Sequence, residues 1–334
     1  MNQPHRRPRR TFVALAAATL LAGVFAVGTS LPAHAQAWPA KPVRMIVNFP
    51  AGGAADQIAR AISQPLQEAL GQPVVVDNRG GAGGNLGGDL AAKSAPDGYT
   101  LLMSSGGMVS VNPHIYARMP FDPVKDLVPV AAAARVLVFL ETRNDLPAAD
   151  IREFMAYVKA RPGKLSYGSP GNGSSPHLAG ELFKDMAALY AVHVPYRGAA
   201  PAMQDLLGGQ IDFMFDPGIG LGQVRAGKLR LLAVGSLQRS PLFPDVPTLD
   251  EVGLKGFDAD TVFGVYAPAG TPPEIVERLN REINRILGSA ALKERIAAIG
   301  GVPAPMTPAE FGARAAQDGV RFGALIKARG IRGD

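Results

Sequence analysis

The residues of this chain best suited to chemistry are small ones gathered in short runs. Phe49-Pro-Ala51-Gly52-Gly53 is followed by Asp56, and Ser104-Ser105-Gly106 comes later. Gly171-Asn-Gly173-Ser174-Ser175, Tyr196-Arg197-Gly198 and Asp216 complete the set. Glycine lets backbone N–H groups come close to a guest, serine adds a hydroxyl donor, and Arg197 offers a planar cation. Together these groups donate hydrogen bonds, so the guest they suit is an anion. Asp56 reads either as a cap on the helix behind it or as a contact to an amino or hydroxyl group. Asp216 has the same two readings, capping a Pro-Gly turn or selecting an ammonium. Tyr196 is placed to stack on a guest or to hydrogen-bond it. Tight strand-to-helix turns need small residues whether or not anything binds there, so composition alone leaves the structural reading open.

Several other chemistries fail on spacing. Gly81-x-Gly83 begins a dinucleotide fingerprint, but Leu86 stands where its third glycine belongs. Gly222 and Gly227-Lys228 begin a phosphate loop, but Leu229 replaces the Ser or Thr that must reach the metal. Ser174 lies outside any Gly-x-Ser-x-Gly context and His177 has no evident acid partner, so a hydrolase lacks its constellation. His177, near a helix start, and His193, in a strand, read as structural. No His pair has metal-ligand spacing, and cysteine is absent, so neither thiolate ligands nor disulfides exist. No metal and no cofactor is expected.

Positioning such loops requires strands that end in them. Val43 to Phe49 is a largely apolar run, stopped by Pro50 and two glycines. Ile58, Ile62, Leu66 and Leu70 then recur at helical spacing, with Pro65 expected to kink that helix. Ser104-Ser105-Gly106-Gly107 reads as a loop after the strand Tyr99–Met103. Ser169 to Ser175 follows a strand at Lys164–Gly168, and Arg197 to Pro201 one at Val192–Tyr196. Leu229 to Gly235 reads as a strand returning to the first half. Strand and helix alternate on both sides of residue ~135, predicting two α/β halves with mostly parallel sheets. Ligands in such sheets bind beyond the carboxyl ends of strands, where these loops lie. Two amphipathic helices, Pro273–Leu287 and Pro308–Lys327, form the tail.

The first residues read as an address. Arg6, Arg7, Arg9 and Arg10 precede the uncharged run Phe12–Gly28, and Ala33-His-Ala35 fits a small-residue cleavage site. Residues 1–35 are therefore expected to be a secretory signal, with Arg9-Arg10 leaving the Sec and Tat routes both open. Losing four arginines and no acid takes the formal charge from +6 to +2. A nearly neutral mature chain has no basic field for nucleic acid. Its ~300 residues are enough for two cores.

These motifs, in this order, resemble the Bug family, periplasmic receptors of tripartite tricarboxylate transporters. The resemblance spans roughly residues 38–330. It is carried by Phe49-Pro-Ala-Gly-Gly-x-x-Asp56-x-x-Ala-Arg60 and by Val74-Val-Val-x-Asn78-Arg79-x-Gly-Ala-Gly-Gly84. Pro96-Asp-Gly-Tyr-Thr-Leu-Leu102 and Tyr167-Gly-Ser-x-Gly-x-Gly-Ser174 with His177-Leu178 continue it. Pro195-Tyr-x-Gly198 with Asp205-Leu-Leu-Gly-Gly-Gln-x-Asp212, Pro244-Asp-Val-Pro-Thr248 and Ala267-Pro-Ala-Gly-Thr-Pro272 complete it. It implies a two-domain Venus-flytrap fold, with 36–134 plus 236–334 as domain one and 135–235 as domain two. It further implies a non-catalytic, monomeric, periplasmic receptor. Such a receptor closes on a small carboxylate and passes it to membrane transporter subunits, or alternatively reports it to a signalling partner.

Overall fold

The computed structural model describes residues 38–333, so the expected signal segment at 1–35 lies outside the described residues. Val43–Val47 (β1) is apolar and buried, as its continuous hydrophobic run requires. It leads through the 48–53 loop into Ala54–Leu70 (α1), whose buried stripe includes Ile58, Ile62, Leu66 and Leu70. This helix runs unbroken through Pro65. Val74–Asn78 (β2), Asn85–Ala92 (α2) and Thr100–Ser105 (β3) follow. Two short helices, Gly106–Ser110 (α3) and Asn112–Ile115 (α4), come next, so that Ser104–Gly107, expected to be a loop, is divided between the end of β3 and the start of α3. Leu127–Val136 (β4) crosses to Phe139–Arg143 (β5) through two residues.

The middle of the chain alternates as predicted. Ile151–Lys159 (α5), Ser166–Ser169 (β6), Ser175–Met186 (α6) and Val192–Pro195 (β7) come first. Ala199–Leu207 (α7), Phe213–Asp216 (β8), Leu221–Arg225 (α8) and Leu229–Val234 (β9) complete it. Thr261–Pro268 (β10) returns to the first sheet, followed by Pro273–Leu287 (α9) and Ala290–Ala298 (α10). Gly301–Pro303 (β11) and Pro308–Arg329 (α11) end the fold.

Two sheets result, ordered β11-β4-β10-β3-β1-β2 and β7-β6-β8-β5-β9. The expected parallel order holds for β2-β1-β3 and for β7-β6-β8. The remaining pairings are antiparallel, so both sheets are mixed rather than mostly parallel. In the first sheet the physical reason is β10, a strand that returns after the long irregular stretch 235–260 and inserts between β3 and β4; in the second it is β5, which enters from β4 and runs against both β8 and β9. β9 stays beside β5 in the second sheet, so the return to the first half happens after it, not along it.

The two cores differ in texture. Ala131 to Ala134 on β4 are fully buried, and their small side chains let α9 and α11 pack closely. At Gly264 on β10 a Cβ would come within 2.3 Å of the Phe311 ring, so only glycine fits beneath α11. The second core is aromatic. Phe154 meets Phe213 edge-on at 5.2 Å, and Phe215 stacks on Phe257 at 6.0 Å. Phe257 belongs to the 235–260 crossing, which therefore packs into the second core before the chain leaves it.

Candidate functional site: a cleft between the two sheets

A cavity of about 540 Å³ opens between the two halves. From the first half it is walled by Phe49, Gly53, Ala54, Ser105 and Gly106, and from the second by Gly171, Gly173, Ser174, Ser175, Arg197 and Gly198. Two helices present their N-termini to it from opposite sides. Gly53 is the N-cap position of α1 and Gly198 that of α7, and no side chain caps either one. An uncapped helix start leaves backbone N–H groups and the positive dipole end available to a negative guest. Arg197 is exposed and is the one cationic side chain among the described lining residues.

The first-half loop is held from behind by Asp56. Its carboxylate accepts the Gly52 N–H at 2.9 Å, the Asn78 amide at 3.0 Å and the Arg60 guanidinium at 3.0 Å. Asn78 also donates to the Phe49 carbonyl, closing the ring around residues 49–53. Burial pushes the Asp56 carboxyl up, but these donors, Arg60 foremost, outweigh it and hold the pKa below the ordinary value. Asp56 thus supports the loop within the first turn of α1. Gly52, at φ +84°, needs the freedom of glycine, and its N–H is already committed to Asp56.

The second-half loop is held by serines and a histidine. Ser174 starts α6: its Oγ accepts the His177 N–H and donates to the Gly171 carbonyl at 2.7 Å. Committed to the backbone in this way, Ser174 does not meet the His177 ring, so the pair forms no nucleophile and base. His177 Nδ1 instead accepts the Gly173 N–H at 3.0 Å. The His177 ring stacks on His193 at 3.9 Å, and His193 Nε2 meets Ser169 Oγ at 2.7 Å. Burial pushes both imidazoles down, His177 to about 4 and His193 to about 3.

The remaining expected site residues take supporting places instead of the cleft wall. Ala51 and Gly52 form the exposed tip of the first loop. Ser104 is fully buried in β3, accepting from Asn48 at 2.9 Å. The Tyr196 hydroxyl donates to Asp205 at 2.7 Å. Asp216 is fully buried and caps its turn, accepting the Gly218 and Gly220 N–H groups at 2.8 and 2.9 Å. Beside it lies Glu141, also fully buried. Burial and the neighbouring carboxyl push Glu141 well up, and burial takes Asp216 to about 6.

Sequence reasoning missed the cleft floor. Thr261, Val262 and Phe263 of β10 and Asp318 and Phe322 of α11 line it, together with Asp260. Asp260 pairs with Arg135 at 3.1 Å and with Arg314 at 3.2 Å, and Arg314 also pairs with Asp318 at 3.0 Å. The alternation Thr-Val-Phe-Gly-Val-Tyr at 261–266 was the strand signal available for finding it.

A family model for the tripartite tricarboxylate transporter family receptor, TctC, matches residues 58–331. The chain belongs to this family. It is 41% identical over 315 residues to BugT of Bordetella pertussis, covering 93% of this chain and 96% of that protein. Among solved structures, R. palustris Rpa4515 with adipate is 35% identical with a TM-score of 0.80, covering 88% of this chain and 99% of the other. MatC of Rhodopseudomonas palustris with bound malate is 32% identical with a TM-score of 0.75, covering 86% and 100%. The protein is thus a Bug-type solute-binding receptor with the two-domain periplasmic-binding-protein fold, and its relatives are receptors, not enzymes.

Proposed function

We propose that this receptor is exported to the periplasm, where it captures a small carboxylate in the cleft and delivers it to transporter subunits in the membrane. The observation that carries this reading is the pair of uncapped helix starts, α1 and α7, facing one cavity from opposite halves with Arg197 at its edge. An acid lying between them is held by both halves at once, which is what stabilises a closed form. Each charge-assisted hydrogen bond contributes about 1.5–3 kcal/mol, so a few backbone donors suffice without a second cation. Adipate in Rpa4515 and malate in MatC place small diacids in related receptors. The contact residues in this reading are Phe49, Gly53, Ser105, Gly106, Gly171, Gly173, Ser174, Ser175, Arg197 and Gly198. Residues 36–134 with 236–334 and residues 135–235 act as the two moving domains, consistent with sheets that divide at 137–138 and after Val234. A melting screen across mono-, di- and tricarboxylates tests this. An acid at about a hundred times its Kd should add about 2.7 kcal/mol and raise Tm by a few degrees. No shift from any acid, or conversion of the acid to a product, would sink the proposal.

A further inference from the structure

We infer that His177 is the positioning residue of the second-half loop: its Nδ1 lone pair holds the Gly173 N–H, and protonating that nitrogen releases the loop and with it the ligand. The inference rests on the cleft being a carboxylate site, because residues 171–175 form part of its wall.

Five contacts make the arrangement specific. Gly173 N–H donates to His177 Nδ1, so that nitrogen carries no proton and the neutral ring keeps its hydrogen on Nε2. Gly173 itself sits at φ +74°, where a Cβ would lie 2.2 Å from Ile115 Cδ1, so the loop packs closely against the first half. Ser174 and Ser169 tie the same loop down through Gly171, whose carbonyl accepts Ser174 Oγ at 2.7 Å and whose N–H donates to Ser169 Oγ at 3.2 Å. Ser169 in turn meets His193, which stacks on His177 at an interplanar angle of 6°. One polar chain therefore runs from the cleft wall to two stacked imidazoles, His177 buried and His193 half-buried.

Protonation acts on this chain at two points. An imidazolium donates from both nitrogens, so Nδ1–H would face the Gly173 N–H, donor against donor. A second charge on His193 would add repulsion across a 3.9 Å stack. The groups around His177 do not remove the effect. Glu181 on its own helix lies 4.0 Å from Nε2 and favours the charged ring, but its carboxylate is already held by Lys184 at 2.6 Å and by Tyr167 of β6 at 2.7 Å. Lys184, His193 of β7 and, more distantly, Arg329 of α11 bring positive charge or a further basic ring to the same pocket. Burial is the largest influence on His177, which keeps the ring neutral until about pH 4.

The test uses two probes, malate and adipate, titrated against wild type, His177→Asn and His177→Ala between neutral pH and about pH 4, with circular dichroism at each pH. Asn presents Oδ1 as an acceptor that does not titrate. At neutral pH, Ala should bind about tenfold more weakly than wild type, the cost of one lost hydrogen bond, while Asn should stay close to wild type. Towards pH 4 the wild type should lose about tenfold more affinity than the Asn variant; probe protonation is common to both and cancels in the ratio. Parallel pH profiles for wild type and Asn, or an Ala variant that binds like wild type, would overturn the inference. Nitrogen-15 spectra of the imidazoles separate it from the ligand reading. If neither probe binds, the carboxylate assignment fails, yet a bare acceptor Nδ1 on His177, with a Gly173 amide resonance moving as that nitrogen titrates, still supports the positioning role. A protonated Nδ1 at neutral pH refutes it outright.

Discussion

The two halves of this receptor build their cleft loops by different chemistry. Residues 49–53 are anchored by a carboxylate, Asp56, which gathers a backbone N–H, an amide and a guanidinium. Residues 171–175 are anchored by a neutral imidazole and two hydroxyls. The first anchor is strengthened by charge and the second is weakened by it. Under the proposed function a guest would rest on one support that keeps its charge in acid and on another that protonation would disrupt, although both loops are drawn from glycine, serine and alanine.

Breaking the first anchor should have the largest effect. Asp56→Ala leaves the Gly52 N–H, the Asn78 amide and Arg60 without their shared acceptor, and should cost about 2–4 kcal/mol. Urea unfolding read by circular dichroism measures it; a loss below about 0.5 kcal/mol would show that the loop is held by something else.

Next comes a pair of glycines with similar backbones and different surroundings. Gly173→Val adds a branched side chain whose Cβ falls 2.2 Å from Ile115 across the cleft, so carboxylate binding should drop at least about tenfold. Gly52→Val has an equally positive φ, but nothing lies within 4 Å of its Cβ. It should show only backbone strain of about 1–2 kcal/mol and keep most of its affinity. Equal binding losses in both variants would mean that steric closure is not what separates the loops.

The smallest effect is a slope. His177 has its folded-state pKa lowered from 6.5 to about 4, so the unfolded chain takes protons first and stability is lost as pH falls from about 6.5 towards 4. Glu141 and Asp216 are shifted upwards, Asp216 to about 6. There the folded chain holds a proton that the unfolded chain has released, and stability is lost as pH rises from about 4 to about 6. Glu141→Gln should reduce the second loss and leave the first, as read from Tm against pH. An unchanged profile would argue that the buried pair does not titrate in this range.

How far the sequence carried can be judged from these loops. Small residues after apolar strands located both of them, because glycine and serine leave a local signature that needs no partner. The roles within each loop were less legible. Asp56 and Asp216 had two readings each, and the supporting one depended on Asn78, Gly218 and Gly220 folding back to meet them. Ser104 and Ser105 are neighbours in sequence, yet alternation along β3 buries one and turns the other to the cleft. Asp260 and Asp318 stayed hidden because α11 and β10 reach the cleft from opposite ends of a long excursion, a tertiary fact with no local trace. Arg197, exposed as loop arginines usually are, is a cleft residue only because α7 begins beside it.

The central claim, that an acid is held between the two loops, is tested most directly by native mass spectrometry of wild type and Gly173→Val isolated side by side from the compartment to which they are exported. The expected result is a small organic acid carried by the wild type, released unchanged on denaturation and missing from the variant. The same acid on both proteins, or none on either, would contradict a carboxylate bridging the cleft.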